Sequence, residues 1–171
     1  IAVRGTRGVT VDDPERFMKV VKEVNALLVD DPGRKGLTKH GTNAMMASME
    51  EFGALPTRNF QEVQFEGQDK INHRGVRARN RNGHVNLITN KACFGCTIAC
   101  GRIADIDHNH FTIVNRKEYW HASGGLEYET AYAFGPVVGL DDIDACTFAG
   151  YLMNEHGMDP ISFGVTLAAA M

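Results

Sequence analysis

With 171 residues and a mass of 18.8 kDa, the chain is long enough to bury one core or to form part of a larger one. Hydrophobic residues at 43% and charged residues at 23% suit a folded domain, and a net charge of -3 gives no electrostatic attraction to nucleic acid or a membrane surface. Neither is expected as a partner. Three of the four cysteines fall within eight residues, too crowded for a secreted disulfide framework and suited to a metal in a reducing compartment, so the expected location is the cytoplasm.

The chain opens on Ile1, stops within a helical pattern at "FGVTLAAAM", and shows neither a signal peptide nor a membrane-length apolar run. The expectation is a soluble fragment of a larger protein. Residues 1–11, "IAVRGTRGVTV", are β-branched and glycine-interrupted, which predicts a strand. A first helix follows: Asp12 or Asp13 caps it, Pro14 suits its first position, and Phe17, Val20, Val21, Val24 and Leu28 recur at helical spacing until Asp31 and Pro32. That apolar stripe must pack on something. The stretch "DDPGRKGLTKHGT" reads as a glycine-rich loop. Thr42 then caps a short helix whose Met45, Met46, Met49 and Phe52 form a core-facing stripe, ended by Gly53 and Pro56. Residues 66–90 are polar, and the basic run "HRGVRARNRNGH" reads as a solvated surface in preference to a binding patch, with helix and loop both open.

Beyond the cysteines, "RIADID" and "FTIV" alternate as a small β-hairpin around "HNH", and "EYETAYAFG" resumes a helical pattern. A last complete helix is capped by Asp141 or Asp142, places Ile143, Cys146, Gly150 and Met153 on one face, and ends at Gly157. No internal repeat is visible. The predicted fold class is mainly α: a multihelical domain with a small β-hairpin.

Cys93, Cys96 and Cys100 stand in "CFGCTIAC", a C-x2-C-x3-C spacing that can aim three sulfurs at one centre from a loop and a first helical turn. A cubane iron–sulfur cluster uses comparably short runs with one further ligand arriving from far away in sequence. Two other readings stay open: buried free thiols, and a structural zinc completed by His108, His110 or His121. The radical-SAM arrangement, with three residues and then two between its cysteines, runs in the opposite order. By itself the triplet says metal and leaves the chemistry open.

Five segments in order, "AVRGT" near the start, "LPTRNF" at 55–60, "CFGCTIACGR" at 93–102, "EYETAYAFG" at 127–135 and "GMDPIS" at 157–162, make the chain resemble the aldehyde:ferredoxin oxidoreductases. The resemblance implies a fragment of a multidomain enzyme, with residues 1–171 as the middle domain and the N-terminal and C-terminal domains absent. It implies two molybdopterin dithiolenes that hold tungsten or molybdenum without a protein ligand, and a [4Fe-4S] cluster that relays electrons to ferredoxin. Cys93, Cys96 and Cys100 then match three cluster ligands, with the fourth in the missing C-terminal part. Cys146, on the apolar face of the last helix, reads as core packing.

The family places a glutamate near the metal. Glu127 and Glu129 project about 200° apart on a helix, so only one can face that site. The match favours Glu129 as the catalytic proton carrier, with its pKa raised by the apolar wall of "AYAFG", and leaves Glu127 as a surface carboxylate. Asn154, Gly157, Met158 and Asp159 in "NEHGMD" resemble the family's pterin-binding pattern D-x-x-G-L-(C/D), with Asn154 in place of the first aspartate. Arg58 and Asn59, in a turn after Pro56, are candidates for a pterin phosphate. The mononuclear metal that some relatives keep at a dimer interface lacks a matching ligand pair, which leaves homodimerisation open. The expected function is oxidation of an aldehyde substrate to a carboxylate, with ferredoxin and the missing domains as partners, and with the isolated fragment inactive. The rival is a non-catalytic, zinc-stapled helical binding module.

Overall fold

A computed structural model describes residues 4–171 of the chain. The expected strand at 1–11 falls partly outside that range, and residues 4–11 form no strand, with Val9 almost wholly exposed. Their β-branched side chains find no neighbouring strand to pair with, and pairing decides strand formation more than propensity does.

Helix α1 (Pro14–Val29) begins as expected at a capping aspartate, where the Asp13 side chain accepts from the Arg16 N–H at 2.9 Å and Pro14 occupies the first turn. None of its residues is buried. Its stripe reaches the rest of the chain only through the half-buried Val21 and Leu28, and Phe17 stays 49% exposed. The predicted glycine-rich loop is instead a second helix, α2 (Pro32–His40). Asp31 caps it by accepting from Arg34 N–H at 2.8 Å, Pro32 starts it, and Gly41 at φ 66° ends it. Two helical glycines cost about 1 kcal/mol each, and the cap together with the tertiary hydrogen bonds described below offsets that cost.

A 3-10 turn at Thr42–Ala44 runs into α3 (Met45–Glu51). Thr42 does not cap α3, and the methionine stripe is only partly core: Met46 is fully buried and Met49 partly so, whereas Met45 and Phe52 are 44% and 75% exposed. Seven residues make two turns, too short for all four stripe positions to meet one neighbour. The 66–90 region is not a solvated loop. It holds α4 (Gln68–Ile71), a 3-10 turn at Gly75–Arg77 and the start of β1 (Leu87–Lys91), with Ile71, Asn72, Val76 and Asn86 buried. Its basic side chains are partly consumed internally, as where Arg74 pairs with Asp69 at 3.0 Å and Arg79 donates to Gly83 O at 2.9 Å.

The expected hairpin is also repartnered. "RIADID" does supply a strand, β2 (Gly101–Asp105), but its antiparallel neighbours are β1, with Thr89 opposite Ile103, and the short β3 (Ser123–Gly124), with Ala104 opposite Gly124. "FTIV" lies in turns, because the Asp107 side chain and carbonyl take the N–H groups of Asn109 and His110 and turn the chain away. Ile113 then anchors a small core with Ile106, Ala122 and Phe148.

The main core lies between α3 and three C-terminal helices, α5 (Tyr128–Phe134), α6 (Ile143–Glu155) and α7 (Pro160–Ala170). Met46, Leu55, Phe65, Ile71, Leu126, Phe134, Cys146 and Met153 are packed there, each large side chain contributing about 1.5–3 kcal/mol of burial. The last helices match the sequence reading closely: Asp142 caps α6 through Ala145 N–H at 2.9 Å, and Asp159 caps α7 through Ser162 N–H at 2.7 Å. Gly164 lets α7 approach α5 so closely that a Cβ there would stand 2.6 Å from Ala133 O. The sheet is tied to α6 by one buried amide: Asn86 Nδ2 reaches Asp105 O, Asp144 Oδ1 and Thr147 Oγ1 at 3.1–3.2 Å. The fold is thus mainly α with a small three-stranded sheet, and no helix among the described residues is long and apolar enough to cross a membrane.

Candidate functional site

The cysteines sit on the connection between β1 and β2, at the sheet edge nearest α2. A turn closed by Cys96 N–H to Cys93 O at 3.1 Å, with Gly95 at φ 70°, projects Cys93 outward, and Ala99 at φ 52° reverses the chain before Cys100. Helix α2 and Arg102 of β2 hold this loop carbonyl by carbonyl. Arg34 Nε donates to Thr97 O at 3.1 Å, Thr38 Oγ1 donates to Ile98 O, and Arg102 Nη1 donates to Ala99 O at 3.2 Å. The Cys96 sulfur accepts the Ile98 N–H at 3.4 Å, the kind of N–H···S contact that tunes metal thiolates.

Cys93 and Cys100 line a cleft of about 600 Å³ together with Arg102, Gly125, Glu127, Asn154 and Glu155. No histidine lines it. His108 is engaged elsewhere, stacked on Trp120 and bonded to its carbonyl, and His110 lies between Thr112 and Asp142. Three thiols of one loop are the donor chemistry that an iron–sulfur cluster uses, yet among the described residues no three His, Cys, Asp or Glu side chains converge as a ready ligand set. The donor types fit such a group.

Glu127 is not the surface carboxylate expected from the sequence. It precedes the first turn of α5, half-buried on the cleft wall, and accepts a short hydrogen bond from Thr42 Oγ1, which in turn accepts Tyr128 N–H at 3.0 Å. Thr42 therefore caps α5 from across the fold, although it caps nothing in its own segment. Glu129 is exposed and flanks Tyr132 together with Asp159; burial pushes the Tyr132 phenol up, and these two carboxylates push it further. The two glutamates thus stand in different surroundings, Glu127 on the cysteine cleft and Glu129 beside Tyr132. Asn154, near the end of α6, lies on the cysteine cleft, and beyond the left-handed Gly157 at φ 65° Asp159 comes near enough to Tyr132 to act on its phenol.

Arg58 and Asn59 lie in a strained turn in which Arg58, Asn59 and Phe60 all have positive φ, 46°, 56° and 62°. Their N–H groups donate to Pro136 O and Val137 O at 2.9 and 2.8 Å, and the Arg58 guanidinium is paired with Glu62 and Glu66 over the Phe65 ring. The hydrogen bond to Glu66 chiefly raises the Arg58 pKa, while a backbone hydrogen bond, and after it the Arg58 contact, lowers that of Glu66. A non-glycine residue in that region costs about 1–2 kcal/mol, so the turn is maintained by its tertiary contacts.

The sequence model of the family described as aldehyde ferredoxin oxidoreductase, domains 2 and 3, matches residues 19–171. The chain belongs to the aldehyde ferredoxin oxidoreductase family. Over its whole length it is 37% identical to the tungsten-containing aldehyde ferredoxin oxidoreductase of Pyrococcus abyssi, 36% to that of Thermococcus kodakarensis and 34% to that of Pyrococcus furiosus. It spans 26% of the length of each of these relatives.

Within this family member, the side chains missed by sequence reasoning are Thr42, Glu127, Arg34, Thr38 and Arg102. Only Arg102 carried a local signal, since it ends the "CFGCTIACGR" segment. The others become relevant through contacts between residues far apart in sequence, such as the one joining positions 42 and 127.

Proposed function

We propose that this chain is the middle domain of an enzyme that oxidises aldehydes to carboxylates at a tungsten or molybdenum bis-molybdopterin centre and passes electrons through a [4Fe-4S] cluster to ferredoxin, in the cytoplasm. The observation that carries this reading is the convergence on one cleft of Cys93 and Cys100 with Asn154, from the segment that resembles a pterin-binding pattern. The relatives' names supply tungsten, aldehyde and ferredoxin for those proteins, and the cleft supplies the reason to extend them to this one.

In this proposal Cys93, Cys96 and Cys100 provide three thiolates to iron, and the remaining domains supply the fourth ligand and the rest of the pterin surface. When bound, the pterin-held metal supplies the two-electron chemistry. The chain's own residues hold and position. Asn154, Gly157, Met158 and Asp159 grip a pterin edge, with one Asp159 oxygen already committed to capping α7. Arg58 and Asn59 are proposed for a pterin phosphate, which the guanidinium reaches by exchanging its two glutamate partners. Glu129 carries the proton on the Tyr132 side, where the other domains would cover its carboxylate and desolvate it.

Metal analysis of the full-length protein tests the reading. Iron with acid-labile sulfide, plus tungsten or molybdenum, is the expected result. One zinc per chain with no sulfide replaces it with the zinc-stapled binding module.

A further inference from the structure

We propose that Arg102 is a positioning residue for the cysteine loop: its guanidinium clamps the loop backbone, and its fixed charge raises the reduction potential of the cluster held there. The inference rests on the cluster reading above.

Arg102 is the first side chain after the last cysteine and its glycine, at the root of β2, and is 8% exposed. Its fork spans two segments. Nη1 donates to Ala99 O at 3.2 Å and Gly101 O at 2.8 Å, the carbonyls on either side of Cys100, while Nη2 donates to Leu37 O at 3.1 Å and Thr38 O at 3.2 Å at the end of α2. One planar group therefore ties both flanks of Cys100 to the negative end of a helix, a geometry that a lysine ammonium cannot reproduce. The backbone beneath it is equally constrained, since a Cβ on Gly125 would meet Arg102 O at 2.1 Å.

Four neutral carbonyls leave the positive charge uncancelled. Arginine does not deprotonate in proteins, so Arg102 holds a full charge on the wall of the cleft that Cys93 and Cys100 line. Burial first and the Arg77 charge second lower its pKa from the usual arginine value, and Glu127 acts against them. Its Nε is buried and has no hydrogen-bond partner among the described residues. Buried polar donors are almost always bonded, so this one adds to the uncompensated positive charge at the root of the loop. A fixed cation beside a cluster favours the reduced, more negative state over the oxidised one, and burial strengthens the effect.

The test is a redox titration of the cluster's EPR signal in full-length Arg102→Gln, Arg102→Lys and Glu127→Gln enzymes, with iron and labile sulfide counted in each. Arg102→Gln is expected to shift the one-electron reduction equilibrium about tenfold towards the oxidised cluster, which is 59 mV. Arg102→Lys keeps the charge and is expected to restore the wild-type potential while losing part of the cluster occupancy that the fork secures. Glu127→Gln removes the counter-charge and is expected to move the potential upward. A loaded Arg102→Gln cluster with unchanged potential, or a lysine variant shifted as far as the glutamine one, overturns the proposal. Should Arg102→Gln hold no cluster, the loaded Arg102→Lys cluster decides: the wild-type potential supports the fixed charge, and a downward shift of about 59 mV rejects it. Absence of iron and sulfide from the wild-type protein fails the cluster reading instead, which is a distinct result.

Discussion

The α5–α6–α7 unit and the α1–α2 arm with its cysteine loop are held together by different forces. In the first, α6 alone buries Cys146, Phe148, Gly150 and Met153, each helix from α6 onward starts at a capping aspartate, and α7 lies against α5 at glycine distance. In the second, α1 buries nothing, α2 buries nothing, and the contacts that fix the loop are polar, from Arg34, Thr38 and Arg102 to four consecutive or near-consecutive carbonyls. Apolar burial makes a region stable by itself, whereas hydrogen bonds worth about 1 kcal/mol each fix geometry without supplying much stability. The lesson is that the C-terminal unit is a scaffold and the arm is a mount, whose exposed side chains and open cleft suit completion by other parts of a longer protein.

The largest expected effect lies on the mount. The isolated 171 residues should show no aldehyde oxidation with a viologen dye, because the chain spans only 26% of the length of its relatives; turnover by this chain would erase the distinction between mount and finished site. In the complete protein, Cys96→Ser should abolish the cluster while leaving much of the pterin bound, since a hard oxygen is a poor substitute for thiolate on iron. An unchanged reduced-cluster EPR signal and iron count would remove Cys96 from the ligands. Next in size is Glu129→Gln, for which turnover should fall about 100-fold or more with both cofactors retained. Glu127→Gln should reduce turnover far less, since its carboxylate faces the cysteine cleft and not the Tyr132 side; equal effects would break the assignment of different surroundings to the two glutamates.

Stability measurements probe the scaffold. Phe134→Ala should destabilise the 171-residue chain by about 3–5 kcal/mol in urea unfolding, because Phe134 is only 3% exposed, while Phe17→Ala on α1 should stay within about 0.5 kcal/mol. Similar values would show that α1 contributes to the core after all. The smallest effect belongs to Thr42→Val, which removes the hydroxyl that accepts Tyr128 N–H and binds Glu127. A loss of about 1 kcal/mol is expected, with hydrogen exchange at the first turn of α5 accelerated and that of α6 unchanged.

Much of this molecule is determined by neighbours in sequence. Asp13, Asp142 and Pro14 mark helix starts, the face of Cys146 and Met153 predicts burial, and the spacing of Cys93, Cys96 and Cys100 puts three thiols on one loop, because caps, helical periodicity and short spacings act over a few residues. The family itself was readable from five short segments. What only the tertiary structure decided are the pairings across long separations: α2 formed where two glycines suggested a loop, since its side chains had loop carbonyls to hold; β2 chose Leu87–Lys91 and Ser123–Gly124 over "FTIV"; and Thr42 capped a helix 86 residues away. Glu127 moved from surface to cleft for the same reason. A local pattern states which contacts a segment is able to make, and the choice among partners is settled by which of them the rest of the chain brings within hydrogen-bonding distance.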